Sequence, residues 1–437
     1  MHRPKDEDDD PLDVESLSPD QKCTLAELKE KILATACRKE WPFLTDDTYL
    51  LRWLRARKFN VDKAENMLLN HLRFRKALCM DDPNYISKRI CPTMTKFYPH
   101  GQFGYTRHGL PIVYFPIGKL DAKGILKSHK NDDGLITVLY WQELAILETQ
   151  KASKKFGWRV SQVLYVLDLD GFSTEHLWRP GLEVFQQISN LLQEHSPELV
   201  NKIFVINAPA IFPLAFKVVK PILDERTQNK ILVFGRNGYQ DALLQLVEPD
   251  QLPDRYGGTA TVYSSITFGG PVGRENYLST KLGEANSVLP NEARVKPLFI
   301  ARGRHVILRA VVHSPDSVLF WYFRASSWHD VGFSVYKKAG RSTADAETNG
   351  SKELDMVSSK DVDLDQLEMV APHLRLLSHA VPIWGHARAH EPAVYYLYFD
   401  NSYSWLLGKT FEFYATVEEA DSSLLAQLPG VTSPNIV

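Results

Sequence analysis

Between residues 112 and 246 the sequence alternates strand-length apolar runs with helical patterns: IVYFPI, a helix over 134–155, VLYVLD, a helix over 176–195, KIFVIN, an apolar stretch over 212–223, ILVF, and a helix over 240–246. Strands separated by helices are joined by crossovers rather than hairpins, so this region must form a largely parallel sheet with helices packed against it. Upstream, only helical spacing is found. Leu25, Leu28, Ile32 and Leu33 share one face of 24–35, a second helix is predicted over 46–56, and Ala64, Met67, Leu68 and Leu72 share one face of 61–78, which predicts a small all-helical lobe. Gly257 and Gly258 close the alternating region, and sequence containing Pro and Gly to residue 290 reads as a connector. Beyond it HVILRAVV, SVLFWYF, GFSVYK, HLRLLSH, AVYYLYF and TFEFYATV predict antiparallel strands of a β-sandwich.

These patterns divide the chain into an acidic disordered tail (1–20), a helical lobe (21–85), an α/β domain (86–262), a connector (263–290), a sandwich (291–420) and a C-terminal tail (421–437). Within the sandwich, residues 340–361 are rich in Ser, Lys and Asp and are expected to form a long mobile loop. With 437 residues, the chain is long enough for such a multidomain arrangement. Lys and Arg number 51 against 53 Asp and Glu, which gives no global pull toward nucleic acid or anionic membrane, so any electrostatic partner must be recognised locally. Cys23, Cys37, Cys79 and Cys91 fit neither a zinc site nor a disulfide framework and read as reduced thiols of a cytosolic protein. The acidic amino terminus is not that of a signal peptide, and no apolar run approaches membrane-spanning length. The expectation is a cytoplasmic protein whose membrane contact is peripheral and transient.

Glu198 and Lys230 bracket a distinctive segment: a buried strand over 203–206, a turn over 207–209 and a helix over 212–223. Phe212, Phe216, Val219 and Leu223 form one stripe of that helix, while Leu214, Ala215, Val218 and Ile222 fill the adjoining surface and only Lys217 and Lys220 are charged. A helix apolar nearly all round is expected to be buried, either as ordinary core or as a cover over an apolar cavity that can also touch a bilayer.

LRWLRARKF (51–59), LDLDG (167–171), HLWRP (176–180), INAPAIFPLAFKVVKPIL (206–223), LPDRYGGT (252–259) and YFDNSYSWLLGKTFEF (398–413) together resemble the CRAL-TRIO lipid-binding proteins, in particular members with a C-terminal GOLD domain, the tocopherol-associated or supernatant protein factor group. The resemblance implies a lipid cavity on a sheet floor and a gate helix, here 212–223, that opens on membranes. Val163, Tyr165, Phe204, Ile206, Phe212, Phe216, Val219 and Leu223 are the expected lining and gate. Phosphatidylinositol-binding members carry an Arg, a Glu, a Thr and a Lys where this sequence has Arg57, Glu198, Thr227 and Lys230. Arg57, Thr227 and Lys230 would donate to phosphate, and Glu198 would accept from inositol hydroxyls. Choline-lipid-binding members place Ser and Thr on the strand that reads VLYVLD here; Val163 and Tyr165 instead suit a tocopherol- or squalene-like isoprenoid. No cofactor or metal is expected beyond the bound lipid, and the GOLD resemblance implies a protein partner in trafficking.

Three further readings remain open at this stage. Lys151, Lys154, Lys155 and Arg159 cluster where the 134–155 helix ends, as a membrane-docking patch or as a solvated face complementing the helix dipole. Asp168 and Asp170 follow a hydrophobic strand, as in magnesium-dependent phosphatases, but Phe172 and Ser173 follow them, and no second acidic pair ends a later strand. Lastly, the cavity could be a solid core and the chain a scaffold acting through its sandwich.

Overall fold

The computed structural model describes residues 12–36, 39–261, 264–278, 289, 293–327, 329–338, 354–420, 422–423, 425 and 428. Residues 1–11 of the expected tail, Cys37, residues 263, 279–288 and 290 of the expected connector, residues 340–353 of the expected loop and most of the tail after 420 lie outside them. The chain forms two compact units, one built on residues 1–72, 86–125 and 135–272, the other on 73–85, 126–134 and 273–437.

In the first unit, α1 (Pro19–Thr35), α2 (Asp47–Ala56) and the part of α3 (Val61–Ala77) up to Leu72 build the helical lobe around Leu28, Ile32, Leu44, Leu50, Leu51, Trp53, Leu54, Ala64 and Leu68. Ser18 starts α1 through a capping box with Gln21, and the Asp46 carboxylate caps α2, each satisfying amide donors that the first helical turn leaves unpaired. Leu12 and Leu17 are buried in this core, so the part of the expected disordered tail that is described is packed. These two leucines supply the apolar surface that the upstream acidic cluster lacks.

Two short helices, α4 (Pro83–Arg89) and α5 (Pro92–Phe97), precede a sheet that includes β1 (His100–Tyr105), β2 (Pro111–Phe115), β3 (Val163–Asp168), β4 (Val200–Ile206), β5 (Ile231–Val233) and β6 (Ile266–Thr267), in the order β5-β4-β3-β2-β1-β6. Strands β2 to β5 run parallel; β1 is antiparallel to both β2 and β6. Strand β6 falls in the expected connector, where Ile266 is buried against the sheet. The helices between the parallel strands are α6 (Ala122–Ser128), α7 (Asn131–Phe156), α8 (Arg179–His195), α9 (Phe212–Val219) and α10 (Glu225–Asn229). Because the parallel strands advance in one direction across the sheet, right-handed crossovers place the connecting helices on one face. The opposite face is covered by α11 (Tyr239–Leu246) and the chain to Tyr256.

Alternation along the strands sorts their side chains between two cores. Ile112, Tyr114, Leu164, Val166, Phe204 and Ile206 pack with Tyr239 and Leu243 of α11, whereas Val113, Val163, Tyr165, Ile203 and Val205 pack with Ala145 of α7 and Phe212 of α9. The LPDRYGGT segment locks the α11 side. Tyr256 stacks on Tyr114 at 5.3 Å, Gly257 has φ 96°, and a Cβ on Gly258 would lie 1.9 Å from the Leu252 carbonyl oxygen, so both positions demand glycine.

The second unit contains a β-sandwich. One sheet has the order β11 (Asp355–Val357), β8 (His305–Val312), β14 (Ala393–Asp400), β10 (Asp330–Lys338), β12 (Glu368–Leu377); the other has β13 (Ile383–Ala389), β9 (Ser317–Ala325), β15 (Lys409–Glu418), β7 (Lys296–Ile300). All described pairings in it are antiparallel. Phe323 of one sheet meets Phe333 and Phe399 of the other with ring centroids 4.8 and 5.3 Å apart, the aromatic interdigitation expected of facing strands. Residues 355–357 correct the expected loop: as β11 they pair with β8, and Arg309 holds Asp355 at 3.0 Å. Leu289 and Leu428, from the expected connector and tail, are likewise buried against Val318 and Phe320.

Candidate functional site

Glu198 sits between α8 and β4 in the left-handed region, with φ 57°, an uncommon state for a residue with a Cβ. The turn is held by Gln162, whose Nε2 donates to the Glu198 carbonyl at 2.9 Å, and by Val163 N–H on the Leu199 carbonyl. It directs the carboxylate inward, leaving the side chain 5% exposed. Lys230 ends α10 immediately before β5, which is the parallel neighbour of β4. Because parallel strands begin at the same sheet edge, residues far apart in sequence meet there. Lys230 Nζ lies 3.0 Å from Glu198 Oε2 and donates to the Val200 carbonyl at 2.7 Å, while Arg226 Nη1 lies 2.9 Å from Glu198 Oε1. Arg226 also donates to the Arg55 carbonyl in the LRARKF segment, tying α10 to the end of α2.

The other two expected head-group residues are engaged differently. Thr227 Oγ1 donates to Asp224 Oδ2 at 2.8 Å, and its N–H to Asp224 Oδ1 at 2.9 Å, so its side chain belongs to the cap of α10. Arg57 caps the C-terminus of α2 and donates from Nη1 to the Ala56 carbonyl at 3.2 Å. It acts electrostatically on Glu194 of α8: burial pushes that carboxyl up, and the Arg57 charge pulls it partly back. The structure thus joins Glu198 and Lys230 directly, with Thr227 and Arg57 held by other partners. Arg226 was missed, although its spacing of four from Lys230 puts both cations on one side of a helical turn.

His195, in the last turn of α8, lies with Nδ1 3.3 Å from Nδ1 of His71. Burial drives His195 down to about 3, and His100, stacked on Trp141 at 4.3 Å, down to about 4. Since a depressed histidine pKa means that the unfolded chain binds the proton first, this unit should lose stability as pH falls from about 6.5 toward 4. Denaturant melts across that range check the expectation: His195→Gln should reduce the slope, and an unchanged slope would remove His195 from the cause.

Beside the ion cluster lies the apolar region. Phe212, Phe216, Val219 and Leu223 are half-buried, as is much of the apolar face of α8, including Leu182, Val184, Phe185, Ile188 and Leu192. Beneath them the sheet presents buried Val163, Tyr165, Ile203 and Val205. Phe204 and Ile206 do not belong to this lining. They point to the α11 face because side chains alternate along β4; Ile203 and Val205 take their place. Tyr165 donates its hydroxyl to Gln142 Oε1 at 2.7 Å, and burial pushes the phenol up to about 12, leaving a neutral, satisfied wall. The expectation that helix 212–223 is buried is also corrected. The α-helix ends at Val219, a 3-10 turn covers Lys220–Ile222, and Ala215 is the buried residue of α9. Leu214 and Val218 are 57% and 44% exposed. Beyond α9, Gln193 of α8 binds the Ile222 carbonyl at 3.4 Å and the Asp224 N–H at 3.2 Å, and Gln228 binds the Leu223 carbonyl at 2.8 Å. Polar contacts therefore hold the end of this segment.

The phosphatase reading of Asp168 meets an occupied carboxylate. Asn207 Nδ2 donates to Asp168 Oδ1 at 2.8 Å, Tyr256 Oη to Oδ2 at 3.3 Å, and Arg255 Nε lies 3.7 Å from Oδ2. Asp168 is buried and links three segments on the α11 side; Asp170 pairs with Arg255 and Lys119. The basic cluster is similarly engaged: Lys151 pairs with Glu148, Arg159 with Asp46, and Lys155 lies 4.3 Å from the Tyr105 ring centroid. Lys151 and Lys154 border a groove of about 400 Å³ with Gln102, Leu144, Leu147, Glu148 and Gln150. Among the described residues, no helix is long and apolar enough to cross a membrane.

Residues 95–258 match the CRAL/TRIO domain, and residues 24–70 the CRAL/TRIO N-terminal domain. Protein real-time of Aedes aegypti is 30% identical over 328 residues, covering 74% of this chain and 50% of that protein. The CRAL-TRIO domain-containing protein T23G5.2 of Caenorhabditis elegans is 29% identical over 371 residues, covering 84% of this chain and 50% of that protein. The chain thus spans about half the length of these curated relatives. Among solved structures, Sfh5 is similar with TM-score 0.43 and 15% identity over 57% of this chain and 90% of that one.

Proposed function

We propose, from the premise that this chain carries a CRAL/TRIO domain with its N-terminal domain, that it is a non-catalytic carrier holding one lipid between the sheet, α8 and α9 and exchanging it at membranes. The observation behind this reading is the gradation of burial: Val163, Tyr165, Ile203 and Val205 form a buried sheet face that Phe212 packs against, while the apolar side chains of α8 and α9 are only half-buried. Solid cores bury both sides of a contact; half-buried apolar walls are what a face that receives a ligand would present. Each methylene moved from a bilayer into such a space must recover roughly 0.8 kcal/mol, which apolar walls supply. Glu198, Lys230 and Arg226 offer the charges that a hydrated head group needs. Phosphatidylinositol is the head-group ligand these residues suit, with a tocopherol- or squalene-like isoprenoid as the neutral alternative. Exposed Leu214 and Val218 support reading α9 as the gate. The sandwich is read as a GOLD-like interaction module of the tocopherol-associated group.

Lipid mass spectrometry of protein purified from eukaryotic cells tests the carrier reading, and Ala215→Trp sharpens it. Ala215 is the buried residue of α9. If the space beneath the gate is hollow, the indole fills it, the copurified lipid is lost and the melting temperature of the delipidated protein stays within a few degrees. A solid core would instead lose about 1–3 kcal/mol to overpacking. That loss, with a wild type free of lipid, would favour a scaffold.

A further inference from the structure

In the second unit, the loop joining β14 to β15 places Trp405, Leu406 and Leu407 at 89%, 84% and 57% exposure. Single exposed apolar residues are ordinary; three large ones in succession are not. Phe299 of β7, itself 61% exposed, lies with its ring against Gly408 at the end of this loop: a Cβ there would be 2.6 Å from Phe299 Cζ.

The loop is built to hold these side chains outward. Asn401, fully buried, donates from Nδ2 to the carbonyls of Ala301 and Leu407 at 3.2 and 3.1 Å. Its N–H binds the Arg304 carbonyl, and its carbonyl accepts from Gly303. Ser404 Oγ donates to the Leu407 carbonyl at 3.0 Å. Tyr403 is turned inward, its ring 3.9 Å from Arg375 Cζ and 4.5 Å from Lys409 Nζ. The same asparagine fastens the adjacent 301–304 turn, whose Arg302 and Arg304 are exposed. A fixed apolar tip bearing an indole, flanked by two arginines, has the chemistry of a membrane-interface anchor: Trp and Leu enter the acyl boundary while guanidinium groups meet anionic head groups.

We propose that Trp405, Leu406, Leu407 and Phe299, with Arg302 and Arg304, form a docking site for an anionic lipid surface, separate from the carrier site and independent of α9. The arginines favour a bilayer over a second copy of this chain, because the apolar tip and its cationic border would meet like charge across a two-fold contact.

Flotation of the full chain with vesicles of phosphatidylcholine, alone or mixed with phosphatidylserine, tests this. Wild type should bind the mixed vesicles, and Trp405→Ala/Leu406→Ser should weaken that binding about tenfold or more, as expected for losing large interfacial side chains. Trp405→Tyr should restore much of it. Arg302→Ser/Arg304→Ser should abolish the preference for phosphatidylserine. Copurified lipid and melting temperature should not change in any of these variants, which separates failure of the anchor from failure of the carrier reading or of folding. Equal vesicle binding by wild type and Trp405→Ala/Leu406→Ser would overturn the proposal. So would a wild type that ignores both vesicles and instead self-associates through Trp405.

Discussion

Lys230→Met is expected to abolish phosphatidylinositol loading, to leave isoprenoid loading largely intact, and to destabilise the protein. Lys230 Nζ is 3.0 Å from a Glu198 oxygen whose side chain is 5% exposed, and it also satisfies the Val200 carbonyl. Without the ammonium, the carboxylate keeps Arg226 at 2.9 Å but loses one of two cations. Removing one partner of a buried pair costs up to about 3–5 kcal/mol, and the remaining arginine places the expected cost near the lower end. Glu198→Gln/Lys230→Met separates the two consequences. With the buried charge gone, most of the stability should return, while the head-group load should not, because the charges that would read phosphate and hydroxyls are both absent. Denaturant unfolding and lipid mass spectrometry on the same preparations measure the two effects. Recovery of phosphatidylinositol in the double variant would make this pair purely structural, as would equal loss of both ligand classes in the single variant.

Lys409→Met should have a comparable effect on the sandwich with no effect on lipid content. Lys409 is buried, donating from Nζ to the Asp330 carbonyl and to Oδ1, each at 2.8 Å, and to Tyr403 Oη at 3.3 Å; Arg375 pairs with the same carboxylate. Burial alone would push the Asp330 carboxyl up, but the Lys409 hydrogen bond and the charges of Arg375 and Lys409 outweigh it and hold the group below its usual value. A depressed carboxyl pKa contributes stability that is present above the unfolded value of about 4 and disappears as pH falls through the folded one. The sandwich transition of Lys409→Met should therefore lose about 3 kcal/mol at neutral pH and much of the acid sensitivity that wild type shows below about pH 4. An unchanged neutral-pH transition would mean that Arg375 alone compensates Asp330.

Periodicity was sufficient for the elements that carry the fold. VLYVLD is β3 to the residue, the helix over 61–78 is α3 within one residue, and five of the six apolar runs after residue 300 fall within sandwich strands, HLRLLSH overrunning the end of β12 by two residues. Strands β7, β11 and β13 were not legible: β11 has three residues, β7 begins with Lys and Pro, and β13 mixes Trp and His with small residues. Their conformation is imposed by pairing with β15, β8 and β9, a long-range contact that local composition does not record. The buried Leu12 and Leu17 are similar, two leucines whose packing depends on a core assembled elsewhere in the lobe.

At the candidate site, the residue types in the sequence determined which charges were available: Glu198 before β4 and Lys230 before β5, two strands that the alternation predicts to be parallel. Only the tertiary structure decided how they are used. Pairing at the sheet edge where both strands begin closed Lys230 and Arg226 on Glu198, the helix cap claimed Thr227, and Arg57 came to face Glu194. It also decided which strand side chains face α7 and α9, since the shared register of β3 and β4 aligns Tyr165 with Ile203 and turns Phe204 and Ile206 to the far side of the sheet. Side-chain chemistry is written one residue at a time, whereas a face, a partner and a degree of burial exist only when distant strands meet.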